Sequence, residues 1–435
     1  MDWLIHAPSY VKVGSSFLGI LLLYRLRTPL GVAILFFSAL LTLWTGTGVD
    51  GLRFQIHSFS LPKNYLLPMI IFLLLFFTDA LNKTGRMDRT ITALKAWLKS
   101  RHLILAGLPA LVGLLPMPAG ALFSAPFVEA VDQNGEIEPL RKVAINYWFR
   151  HIWEYWWPLY PGVILAMQYS GLPAFKYFLI QIPFTFAAIL GGYIFILKEI
   201  RKTGPDHTGT NGMPDKKAVL SALGPIGLLV LIALVGSSTL PMIGIKGTLA
   251  NLVAMVVGLL LSLAVVFTGH GSAFRATLPM VKKLNTWLMI ILILGIQAFA
   301  AALSCPLDAT GSTLITGMRD EFMRTGIPMI LVIMLIPFIS GMVTGVAFGF
   351  VGASFPIVFA LVGPHPSFGV AAATTAFAYT FGYMGMMLSP MHACLLVTAE
   401  YFCTSVYEVY RYIIGPAGVI LLTSMLLSAF YYYFL

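Results

Sequence analysis

Long apolar segments separated by short polar ones dominate the hydrophobic pattern of this chain. About 20 apolar residues are needed for a helix to cross roughly 30 Å of hydrocarbon, and several segments approach or exceed that length. Bounded by charges, Pro or Gly, they predict spans near residues 14–27, 29–46, 64–82, 143–169, 173–198, 218–237, 248–268, 286–303, 366–400 and 412–434. The pattern therefore predicts an all-α, polytopic protein whose surroundings are the lipid bilayer.

Two further apolar stretches, 103–131 and 328–363, are interrupted in the middle by Gly and Pro. Each half is too short to cross the bilayer alone, so both are predicted to be re-entrant helical hairpins that return to their side of entry. The segments 143–169 and 366–400 are predicted to be broken helices, because Pro158, Pro161 and Pro390 remove backbone donors within them.

Composition and charge agree with a membrane protein. Hydrophobic residues make up 58% of the 435 residues and charged residues 10%, with a mean hydropathy of +0.87, whereas soluble domains carry roughly 25% charged residues. The three cysteines are too few and too scattered for a disulfide framework or a zinc site. The net charge of +10 comes from basic residues between the apolar spans, so no nucleic-acid partner is predicted.

The distribution of basic residues predicts an orientation. With the N-terminus outside and both hairpins returning, 19 of the 27 Lys and Arg residues lie on the inner side and 7 on the outer side. Arg150 is counted on neither side, because it lies inside a predicted span. Cytoplasmic loops carry the excess of Lys and Arg, so both termini are predicted to lie outside.

The two halves of the chain resemble each other. A shift of 228 residues places Pro109 on Pro337 and Gly113 on Gly341, although chance matching among apolar residues is the alternative explanation. The predicted division is a first repeat over 1–200, a cytoplasmic linker over 201–217 and a second repeat over 218–435. Each repeat has five full crossings, one of them broken, and one hairpin. An odd number of crossings inverts the second repeat, as in many secondary transporters.

The first broken helix carries the densest group of polar residues. Asn146, Arg150 and Glu154 follow one another at four-residue spacing and would lie along one helix face. One interpretation is a structural ion pair between Arg150 and Glu154. The favoured one is that Arg150 and Asn146 bind an anionic substrate, while Glu154 or His151 exchanges the coupling proton, because a charge held in the membrane is expensive.

The second broken helix carries Ser389 and His392, expected to contact substrate, and His392 is also a candidate for proton exchange. The alternative for His392 is a core histidine whose hydrogen bonds are satisfied within the protein. Its methionines are expected to pack, with a Met/His/Cys copper site as the less favoured alternative, so no metal is expected. Small residues at the hairpin tips would let backbone amides approach an anion. The tip residues assigned to substrate binding are Pro118, Ala119, Gly120, Ser124, Thr344 and Gly345.

The segment that carries a family resemblance reads PMPAGALFSAPFVEA, followed by NYWFRHIWEYWWPLYPG. It resembles a prokaryotic integral-membrane family labelled as domain of unknown function 401, within the ion-transporter superfamily. A looser similarity extends to gluconate, C4-dicarboxylate and divalent-anion carriers. The resemblance implies a scaffold domain, a mobile domain that moves as an elevator, a homodimer, and a place in the cytoplasmic (inner) membrane. The serine-asparagine-threonine signatures of the sodium-dicarboxylate branch are absent from both hairpin tips.

The function predicted from these observations is secondary transport of a small organic anion by symport with H⁺, with Na⁺ left open as the coupling ion and no other cofactor. An enzyme is not expected, because no H-E-x-x-H, G-x-S-x-G or paired intramembrane Asp motif occurs. A channel or a lipid-handling scaffold is the alternative, followed by an intramembrane enzyme.

Overall fold

The computed structural model describes residues 7–86, 100–114, 120–132, 135–200, 216–268, 271–308, 311–363 and 365–435. These residues are helical, and no strand occurs among them. The α-helices are α1 (Ser9–Arg25), α2 (Leu30–Trp44), α3 (Gly48–Ser58), α4 (Pro62–Lys83), α5 (Arg101–Gly113), α6 (Gly120–Val131), α7 (Pro139–Arg150), α8 (Pro161–Ser170), α9 (Ala174–Gly192), α10 (Lys216–Thr239), α11 (Thr248–Phe267), α12 (Gly271–Thr277), α13 (Leu284–Ser304), α14 (Leu314–Thr325), α15 (Met329–Thr344), α16 (Ala347–Val362), α17 (Phe368–Met387), α18 (Ala393–Tyr401) and α19 (Val406–Phe434).

Several helices are long and apolar enough to cross a membrane, and the all-α, multi-pass prediction is confirmed. Among the described residues, six qualify by length and composition, and five further apolar helices are shorter. The six are Pro62–Lys83, Ala174–Leu197, Leu223–Ile243, Thr248–Phe267, Leu284–Ser304 and Val406–Phe434. The second of them joins α9 to a π-helical turn over Tyr193–Leu197.

The helices pack in two groups. In the first group α2 lies against α13, α4 against α11 and α11 against α10. In the second group α15 lies against α17, α9 against α19 and α5 against α7. The two groups meet where α13 packs against α16 and where α1 packs against α15. The candidate residues Asn146, Arg150 and Thr344 lie in α7 and α15 of the second group.

Two helical pairs occupy the stretches predicted to be hairpins. We call α5 and α6 the first hairpin and α15 and α16 the second hairpin. Each helix has 12 to 16 residues, which at 1.5 Å per residue is too short to cross about 30 Å. The second helix of each hairpin packs against a short helix of the other half, α6 on α18 and α16 on α8. The hairpins therefore bring the two halves of the chain together.

A buried ionic cluster fixes the base of the first hairpin. The Asp132 carboxylate follows α6 directly and is completely buried. It accepts hydrogen bonds from Arg101 Nη2 at 3.1 Å and from the backbone amide of Ile137 at 3.1 Å. Lys142 Nζ lies 2.8 Å from its second oxygen. Because Arg101 begins α5 and Lys142 lies in α7, this carboxylate ties the hairpin to the helix that carries Arg150.

Two short helices were not predicted from the sequence, namely α3 and α12, since neither contains a long apolar run.

The amphipathic helix α14 begins with a capping box formed by Thr313 and Thr316. Most of the predicted linker, residues 201–215, lies outside the described residues.

Candidate functional site

The first broken helix stops directly after Arg150. Helix α7 ends at that residue, turns occupy 151–160, and α8 begins at Pro161; we call 151–160 the first break. The predicted helical spacing of Asn146, Arg150 and Glu154 is therefore wrong at its last member, because Glu154 lies in the turns. The residues that stabilise this turn conformation are distant in sequence. Tyr383 donates to the carbonyl of His151 at 2.7 Å, and Tyr379 donates to that of Glu154 at 2.6 Å.

The second break comprises residues 388–392, between α17 and α18. Here too, tyrosine hydroxyls donate hydrogen bonds to backbone carbonyls. Tyr147 of α7 donates to the Met387 carbonyl at 3.0 Å. Tyr410 donates to the Leu388 carbonyl at 3.0 Å. The hydroxyl of Ser389 donates to Met342 of the second hairpin at 2.7 Å. Tyrosine hydroxyls therefore replace the helical donors at both breaks.

Arg150, the last residue of α7, is buried, with 3% of its surface exposed. Its Nη1 donates to Sγ of Cys394, in the first turn of α18, at 3.3 Å. Its guanidinium also lies against Gly120, since a Cβ added to that glycine would stand 3.0 Å from the Arg150 Cζ. The guanidinium is thus placed between the start of α6 and the start of α18.

Asn146 lies one helical turn before Arg150 and links α7 to α6 and α18. Its Nδ2 donates to the Ala121 carbonyl at 2.9 Å and to Thr398 Oγ1 at 3.1 Å. The side chain is fully buried. Asn146 therefore fixes α7 against both α6 and α18, which positions Arg150 between them.

Helix N-termini lie in this region of the fold. The Arg150 guanidinium lies against Gly120, the first described residue of α6, and donates to Cys394 in the first turn of α18. Helices α8 and α16 begin against each other, because a Cβ at Gly162 would stand 3.0 Å from Cβ of Ala347. A helix N-terminus carries roughly half a positive charge in its unsatisfied amide groups. Together with the guanidinium, the start of α18 makes the surroundings of Arg150 favourable for an anion.

Two buried histidines come from opposite breaks. The rings of His151 and His392 are perpendicular, with centroids 4.9 Å apart. His151 Nδ1 lies 2.5 Å from the Tyr147 carbonyl, and its Nε2 lies 3.8 Å from a carboxylate oxygen of Glu154. The predicted coupling residues are therefore neighbours, and His151 and Glu154 form an ion pair only when the imidazole is protonated.

The hairpin-tip residues have different surroundings. Pro118 and Ala119 lie outside the described residues. Ser124 donates to the Gly120 carbonyl of its own helix at 3.2 Å. Thr344 Oγ1 likewise donates to Ser340 of its own helix at 2.8 Å. Gly345 has φ +63° and contacts the backbone of the second break, a position where a side chain would be strained.

The sequence pattern did not single out the tyrosines as partners of the breaks, or Thr398 as a partner of Asn146. A signal was present, because Tyr379 and Tyr383 are four residues apart in an apolar helix. A buried tyrosine hydroxyl usually has a hydrogen-bond partner, which marks such residues as connected to polar groups elsewhere.

Comparison with known proteins shows the family to which the chain belongs and a solved structure with a similar fold. The family model described as protein of unknown function (DUF401) matches residues 15–431. The crystal structure of the YdaH transporter from Alcanivorax borkumensis is similar, with a TM-score of 0.58 and 14% sequence identity. The match covers 88% of each chain, and at this identity it shows the fold alone. None of the curated proteins compared with the chain matches it.

Proposed function

The chain belongs to the DUF401 family, and we propose that it is a secondary active transporter for a small organic anion in the cytoplasmic membrane of a prokaryotic cell. The fold that it shares with the YdaH transporter supports this class. The superfamily resemblance in the sequence gives the same expectation. The substrate is proposed from the site itself.

The observation that carries the proposal is the buried guanidinium of Arg150, which lies against Gly120 of α6 and beside the N-terminus of α18. A charged group at bilayer depth costs at least about 2.5–3.5 kcal/mol by insertion scales. A negatively charged ligand would offset part of this cost, and N-termini of interrupted helices are a recurrent way to bind one in transporters. The role proposed for Arg150 is to bind the substrate's anionic group directly.

The other candidate residues have roles in the same proposal. Asn146 positions Arg150 through its bonds to α6 and α18. The hydroxyl of Ser389, together with the amides near the two tips, would contact the remainder of the substrate. The tip residues concerned are Pro118, Ala119, Gly120, Ser124, Thr344 and Gly345.

The helix bounds support the proposed repeat. Helices α5 and α15 begin at Arg101 and Met329, which are separated by the 228 residues of the sequence shift. In both halves a hairpin is followed by a broken helix and then by a long apolar helix. We propose that the two repeats are inverted, that the second helix group moves as an elevator against the first, and that the protein is a homodimer.

Coupling to H⁺ through Glu154, His151 and His392 is proposed over coupling to Na⁺. The three side chains are buried and adjacent. Sodium sites at unwound helices use free backbone carbonyls, whereas here the carbonyls of His151, Glu154 and Met387 accept bonds from tyrosines. Tyrosine bonds reduce the number of oxygen ligands that a sodium ion would find at the breaks.

The experiment is a thermal-shift screen of purified protein against small organic anions, with and without Na⁺, followed by uptake of the best ligand into proteoliposomes. Substituting Arg150→Ala should abolish both the shift and the uptake, because the anion loses its cation. The matched control is Arg141→Ala in the same helix, where the charge pairs with Glu199 away from the centre; it should keep both.

The melting temperature of each unliganded variant verifies that it is folded, and Arg150→Lys retains the charge as a second check. Uptake driven by an imposed pH gradient without Na⁺ would support proton coupling, and saturation separates a carrier from a channel. Normal uptake by a well-folded Arg150→Ala protein would rule the proposal out.

A further inference from the structure

We propose that His151, His392 and Cys394 form a binding site for a divalent transition-metal ion of the zinc class. One ligand atom from each residue lies within 4.8 Å of the other two. His151 lies in the first break, His392 in the second and Cys394 in the first turn of α18, so an ion bound here would join the two halves of the chain. This site goes beyond the proposed function and against the expectation of no metal drawn from the sequence.

The chemistry of the three side chains suits zinc. Imidazole nitrogen and thiolate sulfur are the ligands that Zn²⁺ prefers, at about 2.0–2.1 Å and about 2.3 Å respectively. In a tetrahedral site such ligand atoms stand roughly 3.3–3.7 Å apart. Side-chain rotations that bring the atoms closer by about 1 Å would therefore complete the geometry.

His151 already has the arrangement of a metal-binding histidine. Its Nδ1 is 2.5 Å from the Tyr147 carbonyl, which fixes the proton on that nitrogen and leaves the Nε2 lone pair available. Metal-binding histidines commonly donate their second nitrogen to a backbone carbonyl in this way. The Glu154 carboxylate, 3.8 Å from Nε2, is positioned to supply a fourth, oxygen ligand.

His392 provides an independent indication of a missing ligand. Its side chain is 6% exposed, and its Nδ1 has no hydrogen-bond partner among the described residues. A buried polar atom left in this state costs about 1–3 kcal/mol. The His392 ring packs against the rings of Tyr147 and His151, and one of its nitrogens lies within 4.8 Å of the ligand atoms of His151 and Cys394. An ion bound through Nδ1 would remove that cost.

Arg150 does not prevent this use of Cys394. Its Nη1 lies 3.3 Å from the sulfur, and metal binds the thiolate form, so the guanidinium would offset part of the charge of a thiolate whose proton the ion has displaced. Metal also requires neutral imidazole, so metal and protons would compete for the same histidine nitrogens. Metal binding is measured without transport, so its failure and the failure of the proposed function are distinguishable.

The test titrates Zn²⁺ alone into the purified full-length protein by calorimetry. The expected result is one ion per chain, with affinity lowered at least tenfold in His392→Ala and in Cys394→Ser. The control is Cys403→Ser, which removes an exposed cysteine outside the cluster and should leave the affinity unchanged. Equal affinity in all four proteins would overturn the proposal.

A spectroscopic measurement keeps the test decisive if a ligand variant fails to fold. In a Cys305→Ser, Cys403→Ser protein, Cys394 is the one remaining thiol. Added Co²⁺ should then give the thiolate-to-metal absorption band, and Zn²⁺ should displace it. Absence of the band from this folded protein would mean that Cys394 is no ligand.

Discussion

Glycines set how closely Arg150 approaches the first hairpin. A Cβ at Gly113 would fall on the Arg150 carbonyl, inside any normal contact distance. Gly341 stands in the same relation to α17 in the second half, against the Gly382 carbonyl and 2.7 Å from the Met386 nitrogen. Because backbone atoms cannot move aside as a side chain can, these two residues allow each hairpin to contact its broken helix directly.

We expect Gly113→Ala and Gly341→Ala each to destabilise the protein. Overpacking of this kind typically costs about 1–3 kcal/mol, and the clash at both sites is with backbone. The matched control is Gly14→Ala in α1, where a Cβ meets nothing within 4 Å and the helix gains up to about 1 kcal/mol. Thermal unfolding of the three purified variants in detergent tests this. Equal melting temperatures would show that the helices are not in contact at these positions.

At the scale of single elements, the first hairpin depends on the cluster around Asp132. Burial by itself raises the pKa of this carboxyl, but hydrogen bonds from Lys142 and from the backbone amides of Ile137 and Glu136 hold the pKa below its ordinary value of 3.8. A lowered pKa means that the ionised form is the one stabilised by folding. The stabilisation is complete above about pH 4 and is lost as the pH falls through the folded pKa.

Substituting Asp132→Asn should destabilise the protein by about 3–5 kcal/mol near neutral pH, because it leaves Arg101 and Lys142 without their buried counter-charge. The measurement is thermal unfolding of both proteins from pH 7 down to pH 3. The advantage of the natural protein should shrink below about pH 4, because the Asp132 carboxyl of the unfolded chain then binds a proton that the folded carboxylate binds only at lower pH.

The control is Asp50→Asn, which removes the exposed ion pair with Arg53 and should cost less than about 1 kcal/mol at every pH. A difference between Asp132→Asn and the natural protein that stays constant down to pH 3 would contradict the assignment.

Sequence patterns give the apolar helices and the approximate place of the breaks, because length, hydropathy and proline are local properties. Pro161 begins α8, and Pro390 lies in the second break. The position where α7 ends is not local, because Tyr379 and Tyr383, more than 220 residues away, supply the hydrogen bonds that end it. Helix α3 was not predicted, because it also depends on contacts with another helix. Its polar residue Gln55 is held by bonds to Ser38 of α2.

The candidate site also has one part that the sequence predicts and one part that it does not. The cost of a buried charge singled out Arg150 and Glu154 from the sequence alone. The approach of Cys394 to Arg150, and of His392 to His151, requires the two halves to meet. No spacing within either half contains that information.

At the scale of the whole molecule, the predicted orientation places the loop after α18 in the cytoplasm and the loop after α10 outside. Cys403 lies in the first of these loops and is exposed. Lys246 lies in the second and is also exposed. These two positions report on opposite sides of the membrane.

We expect a membrane-impermeant maleimide to label Cys403 only after permeabilisation of the cells, in a protein that also carries Cys305→Ser and Cys394→Ser. In the cysteine-free protein, Lys246→Cys should be labelled in intact cells. The reagent reaches exposed thiols on one side of the membrane only, so the pair fixes the orientation. The opposite labelling pattern would place the termini in the cytoplasm.

The tyrosine bonds across the breaks have a consequence for biogenesis. The hydroxyls that complete the first break arrive 225 and 232 residues later in the chain. At a synthesis rate of about 5–20 residues per second, the ribosome needs roughly 10–50 s to make that length. Lipid cannot satisfy the open carbonyls during this interval. We therefore expect the N-terminal half to wait in the translocon or in a hydrated intermediate, and a chain truncated before Tyr379 to be degraded in the cell.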